Sequence, residues 1–70
     1  MITLKNLNTG TVLDGDELEF FVDDETMIGE VYLDGELIYQ DMDIANERLL
    51  RMNFYRTWCE LDTGSEFEYA

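Results

Sequence analysis

The sequence predicts an α+β fold, a small antiparallel β-sheet of about four strands with one helix packed on it. Three observations predict it. Apolar and polar residues alternate over residues 2–5 and again from Glu17 to Asp23, the period of a half-buried strand. Asp34-Gly35 stands between two runs rich in β formers, the signal of a two-residue hairpin. From residue 43 onward the apolar spacing changes to threes and fours, the period of a helix.

The elements follow in order. In "ITLKNL" Ile2 and Leu4 fall on one face and Thr3 and Lys5 on the other, a first strand. "NTG" is a turn, "TVL" starts a second strand, and Asp14-Gly15 bends the chain. From Glu17 to Asp23 the alternation is cleaner. Leu18, Phe20 and Val22 share one face, and Glu17, Glu19, Phe21 and Asp23 share the other. "MIGEVYLDGELIYQ" is a hairpin with a type I′ turn at Asp34-Gly35. Pairing Leu33 with Glu36 sets Tyr32 opposite Leu37 and Val31 opposite Ile38. Apolar residues then lie on both faces, and the pattern does not choose the buried one.

"DMDIANERLLRMNFYRTWCEL" has a different character. Asp43 is a candidate helix cap. Leu50, Phe54, Trp58 and Leu61 recur as a helical stripe, which favours helix through the whole segment. The rival is a short helix to about Met52 followed by a strand in "FYRTWCEL", where Phe, Tyr, Thr and Trp favour β structure. "DTG" reads as a turn and "SEFEYA" as a frayed or edge strand.

Seventy residues make a single domain, 1–70, and a chain this short buries only ~60% of its unfolded surface. Apolar residues are 46% of the chain, too many for a disordered acidic tail. Charge is the outlying feature. Seventeen Asp and Glu face four Lys and Arg, a formal net charge of −13. Self-repulsion on this scale opposes folding, while a charge of magnitude roughly 2–8 suffices for solubility. The expected partner is therefore basic, not nucleic acid itself and not an anionic membrane face. The four cations are too few for a nucleic-acid footprint. Arg48 and Arg51, three apart on one helix face, are expected to pair with the protein's own carboxylates.

Several classes of chemistry are disfavoured. There is no His, so the Ser/His/Asp and Cys/His arrangements are excluded. One Cys allows no internal disulfide, and without His a zinc site is not expected. "DGDELE" lacks the spacing of a calcium loop. Gly-rich phosphate-binding motifs are missing. The expectation is a protein that is not an enzyme and holds no cofactor or metal. "MITLKNLNTG" does not read as a signal peptide, and no apolar run approaches a membrane span, so a cytoplasmic location is expected. Cys59 is expected to be a small buried apolar residue.

The segment "DGDELEFFVDDE" carries seven carboxylates in twelve positions. On a strand, neighbours on one face lie ~6.8 Å apart, about twice the ~3.4 Å phosphate rise of one B-DNA strand. A row of carboxylates on a stiff strand can therefore copy the charge pattern of a nucleic-acid backbone. Leu18, Phe20 and Val22 would anchor that row to the core. The first candidate contacts are Asp14, Asp16, Glu17, Glu19, Asp23, Asp24 and Glu25, with Glu30, Asp34 and Glu36 of the hairpin next. One or two aromatics are expected to stand exposed among acids, Tyr39 beside Asp41 and Tyr69 beside Glu68 being the candidates.

In size, acidity, lack of His and α+β pattern, the chain resembles the small phage-encoded proteins that imitate DNA, such as anti-CRISPR proteins, uracil-DNA glycosylase inhibitors and inhibitors of restriction enzymes. The resemblance covers the composition of the whole chain and no motif of it. It implies an inhibitor that occupies the basic groove of a nucleic-acid-binding enzyme in the host cytoplasm. The competing expectation is a small assembly protein, a homodimer or larger, joined through an aromatic face or a strand edge.

Overall fold

The computed structural model describes residues 1–61. The turn and strand expected in "DTG" and "SEFEYA" lie outside those residues. The elements in chain order are β1 (Ile2–Asn6), β2 (Val12–Gly15), β3 (Leu18–Val22), β4 (Gly29–Leu33), β5 (Glu36–Asp41), α1 (Glu47–Thr57) and β6 (Trp58–Glu60). The class is α+β, as the sequence predicts. The sheet differs: the described residues form two three-stranded antiparallel sheets, ordered β2-β1-β6 and β3-β4-β5, rather than one sheet of about four strands.

The division arises at residues 15–17. β2 folds back on β1, with Leu13 opposite Leu4 and Gly15 opposite Ile2. The chain then bends at Asp16 and enters β3, which among the described strands pairs with β4 alone. Asp34 holds this corner. Its carboxylate Oδ1 accepts from the backbone N–H of Asp16 at 3.0 Å and of Glu17 at 2.9 Å. Its own N–H donates to the Glu17 carbonyl at 2.9 Å. Asp34 and Gly35 both have positive φ, 52° and 82°, the conformation a type I′ turn requires. Asp tolerates that region better than most side chains, and Gly adopts it without strain.

Asp34→Ala should therefore cost about 1–2 kcal/mol in urea denaturation, from the lost acceptor and the poorer left-handed residue. Asp34→Asn keeps an oxygen and the turn preference and should stay within about 0.5 kcal/mol of the parent. Equal losses in both variants would mean that charge, and not the hydrogen bonds, holds the corner.

The 29–41 hairpin settles the face that the pattern leaves open. Leu33 pairs with Glu36 and Tyr32 with Leu37, as expected, but Val31 pairs with Tyr39 rather than Ile38. Ile38 is the extra residue of a bulge. A bulge shifts every later side chain to the opposite face. Tyr39 thereby turns inward beside fully buried Val31, while Leu37 stays outside at 45% exposure.

The helix begins later than Asp43. Asn46 is the cap, and its side chain accepts from the Leu49 N–H at 2.9 Å. Asp43 has φ 59° and lies in the connection. The delay follows from Ile44, which is 1% exposed and donates its N–H to the Met27 carbonyl at 2.8 Å. Fixing that side chain in the core and that N–H on the β3–β4 loop keeps residue 44 out of the helix.

The helix also ends earlier than the Leu50–Leu61 stripe implies. Leu50 and Phe54 are buried helical residues, but Trp58 is extended (φ −120°, ψ 130°) and opens β6. Residues 58–60 complete the first sheet, with Trp58 opposite Asn6, Cys59 opposite Lys5 and Glu60 opposite Leu4. Strand pairing with β1 outweighs the continuing helical spacing. The rival reading is right about the strand and places its start four residues early.

Leu4, Val31, Leu33, Ile44, Leu50, Phe54, Tyr55 and Trp58 form one buried cluster drawn from β1, β4, α1, β6 and the 42–46 connection. Leu18, Phe20 and Val22 pack against it. At Gly29 the helix and its lead-in come so close that an added Cβ would lie 2.7 Å from Leu50 Cδ1 and 3.2 Å from Ile44 Cγ1. A larger residue there would require the Leu50 and Ile44 side chains to shift.

Candidate partner-binding surface

Among the described strands β3 lies at one edge of its sheet, and it divides its side chains by alternation. Adjacent phenylalanines have opposite environments. Phe20 faces the helix, with its ring 5.5 Å from Phe54 edge-on and the Arg51 guanidinium carbon 4.0 Å above it. Arg51 also donates from Nε to Glu47 Oε2 at 2.8 Å, the expected pairing with an own carboxylate. Phe21 faces outward and is 50% exposed.

Phe21 meets Tyr32 of β4 edge-to-face, with ring centroids 5.6 Å apart. In the ladder Glu19 stands opposite Tyr32, Phe21 opposite Glu30, and Glu30 opposite Gln40. Leu37 completes the outer face beside Tyr32. The Tyr32 hydroxyl donates to Glu30 Oε1 at 3.2 Å. Partial desolvation, and then this bond and the Glu30 charge, raise the Tyr32 phenol above its usual pKa of 10.0. The outer face is thus an aromatic centre among carboxylates. It forms one wall of an open concavity of about 770 Å³ that continues over Asp23, Thr26 and Ile28.

Both ends of β3 carry acids on fixed backbone. At one end are Asp16 and Glu17, tied to Asp34, with Glu36 across the hairpin turn. At the other, Asp23 Oδ1 accepts from the N–H of Glu25 at 2.8 Å and of Thr26 at 3.2 Å. Asp23 N–H donates to the Ile28 carbonyl, and Met27 N–H to the Asp23 carbonyl. Asp24 and Glu25 project from this turn and are exposed. From Glu17 to Asp23 is six residues of extended chain, about 20 Å.

The ten acids singled out by the sequence thus fall into three groups. Asp16, Glu17, Glu19, Asp23, Asp24, Glu25 and Glu36 are gathered along β3 and its two ends, and Glu30 adds to the outer face. Asp34 lies beside them, and its carboxylate, like that of Asp23, is already bonded to the backbone. Asp14 does not extend the row, because it stands opposite Thr3 in the other sheet, beyond the Asp16 bend. Sequence reasoning left Phe21 off the candidate contacts, although its alternation with Glu17 and Glu19 marks it as outward. Tyr32 and Leu37 could not be chosen without the bulge.

Tyr39 is not the exposed aromatic expected there. Its ring packs 5.6 Å from Phe54, and its hydroxyl donates to Asp41 Oδ2 at 3.0 Å. That same oxygen accepts from Asn53 Nδ2 at 2.9 Å, joining β5 to α1. Tyr69 lies outside the described residues. Cys59 is half-buried, not buried.

Burial first, then the bond to Asp41 and its charge, push the Tyr39 phenol up to about 12. Because the folded-state pKa is raised, its contribution is fully present below the unfolded value of about 10 and is lost as pH rises through about 12. Thermal melts should show stability falling between pH 10 and 12, and Tyr39→Phe should flatten that fall. An unchanged slope in the variant would assign the alkaline transition to other groups.

No protein-family model matches the chain, and no curated protein or solved structure matches it. Among the described residues no three carboxylates or thiols are grouped to hold a metal ion. None of their helices is long and apolar enough to cross a membrane.

Proposed function

We propose that this protein is a non-catalytic acidic binding protein that mimics nucleic acid and inhibits a DNA- or RNA-binding enzyme, such as a CRISPR effector, by occupying its basic groove. One observation carries the reading: the carboxylates of Asp16, Glu17, Glu19, Asp24 and Glu25 lie along a strand and two turns pinned by Asp34 and Asp23. A prearranged charge array avoids part of the ordering cost of binding. With a net charge of −13 it also steers association with a basic surface.

The test is affinity capture from host lysate at low salt, with elution along a salt gradient. One nucleic-acid enzyme retained to high salt, displaced by its own DNA or RNA and inhibited in a direct assay, is the expected result. A spread of basic proteins leaving together at low salt would sink the proposal.

Self-association is the second reading. It is favoured by the half-exposed Phe21 and Leu37 on the outer face and by the position of β5 at the end of its sheet among the described strands. Self-repulsion of −13 opposes it, so light scattering at high salt is the decisive condition.

A further inference from the structure

The open concavity on the outer face of β3-β4-β5 combines features that a bare acidic surface lacks. The paired rings of Phe21 and Tyr32 line it. Glu30, Asp23 and Gln40 are among the residues that line it. A carboxylate offers about four lone-pair sites, and the Tyr32 hydroxyl uses one of those on Glu30. Glu30 can therefore still accept from a fork of N–H donors. Among cationic groups, guanidinium is weakly hydrated, stacks on aromatic faces and pairs with carboxylates through two parallel bonds. An ammonium lacks the planar stacking and the fork.

The same chemistry operates within the chain, on the inner face of the same strand. There the Arg51 guanidinium lies 4.0 Å over the Phe20 ring while its Nε donates to a carboxylate, Glu47. On the outer face an aromatic pair and a carboxylate stand together in an open concavity.

We propose that this concavity is an arginine-binding subsite, in which a guanidinium of a protein partner lies over Phe21 and Tyr32 and pairs with Glu30. The inference rests on the reading of a basic partner and adds a chemical preference to it, arginine over lysine. The acidic row along β3 attracts any cationic surface, and the aromatic subsite selects among them.

The experiment is a titration of the ¹⁵N-labelled full chain, at low salt, with capped hexa-arginine and hexa-lysine peptides of equal charge. Amide shifts for hexa-arginine should centre on Phe21, Glu30, Tyr32 and Gln40, and its affinity should exceed that of hexa-lysine by roughly fivefold. Phe21→Leu, which keeps apolar bulk without a ring, and Glu30→Gln, which keeps shape without charge, should each remove most of that preference. Retained amide dispersion would confirm that both variants fold. Equal affinities with shifts spread along the acidic row would overturn the subsite and leave the basic-partner reading standing. No binding of either peptide would overturn both.

Discussion

Phe54→Ala should leave no cooperative thermal unfolding transition at neutral pH and low salt. Phe54 is fully buried, and its ring contacts Phe20 at 5.5 Å, Tyr39 at 5.6 Å and Tyr55 at 5.1 Å. Truncating a buried Phe costs about 3–5 kcal/mol. A chain of this length has a total stability of roughly 4–10 kcal/mol, already reduced by self-repulsion. The loss is therefore comparable to the whole. Phe54→Leu, which keeps most of the volume, should lower the midpoint but retain a transition. Calorimetry decides the matter: a melting temperature reduced by only a few degrees in Phe54→Ala would show that the core repacks and that the ring cluster is not its centre.

Neutralising four acids along β3 and its ends should have the opposite effect on stability and a large effect on binding. The variant would combine Glu17→Gln, Glu19→Gln, Asp24→Asn and Glu25→Gln, leaving Asp23 and Asp34 to hold their turns. Net charge falls in magnitude by four, so repulsion within the fold decreases. The variant should melt higher than the parent at low salt, and the difference should shrink as salt is added, because screening relieves the same repulsion in the parent. Binding to a basic partner should weaken by about 2 kcal/mol, or roughly 30-fold, if each lost pair is worth about 0.5 kcal/mol. Most of that loss should be in the association rate. Unchanged affinity in a stabilised variant would separate the acids from recognition and leave the aromatic face as the site.

These two outcomes divide the molecule by function. The inner side of β3 belongs to the core that Phe54 organises, and the outer side and its ends to the surface that binding would use. The alternation of Leu18, Phe20 and Val22 against Glu17, Glu19, Phe21 and Asp23 made that division legible in advance, because a strand has only two faces. The exposed position of Phe21 was equally legible, but an apolar residue among acids is easily assigned to the core by type.

Local chemistry in the sequence determined the class of fold, the Asp34-Gly35 turn, the two faces of β3 and the acidic balance. Each depends on a few adjacent residues, or on a sum over all of them. Four features were decided only by tertiary structure. The split into two sheets depends on the Asp16 bend, which Asp34 stabilises from eighteen positions away. The bulge at Ile38 turns Tyr39 to the core and leaves Leu37 outside, because a buried position beside Val31 is worth more to a large ring than regular pairing. The late helix start follows from Ile44 and its bond to Met27, and the early end from β6 pairing with β1. In every case contacts between separate elements decide the outcome, and local periodicity carries no information about those contacts.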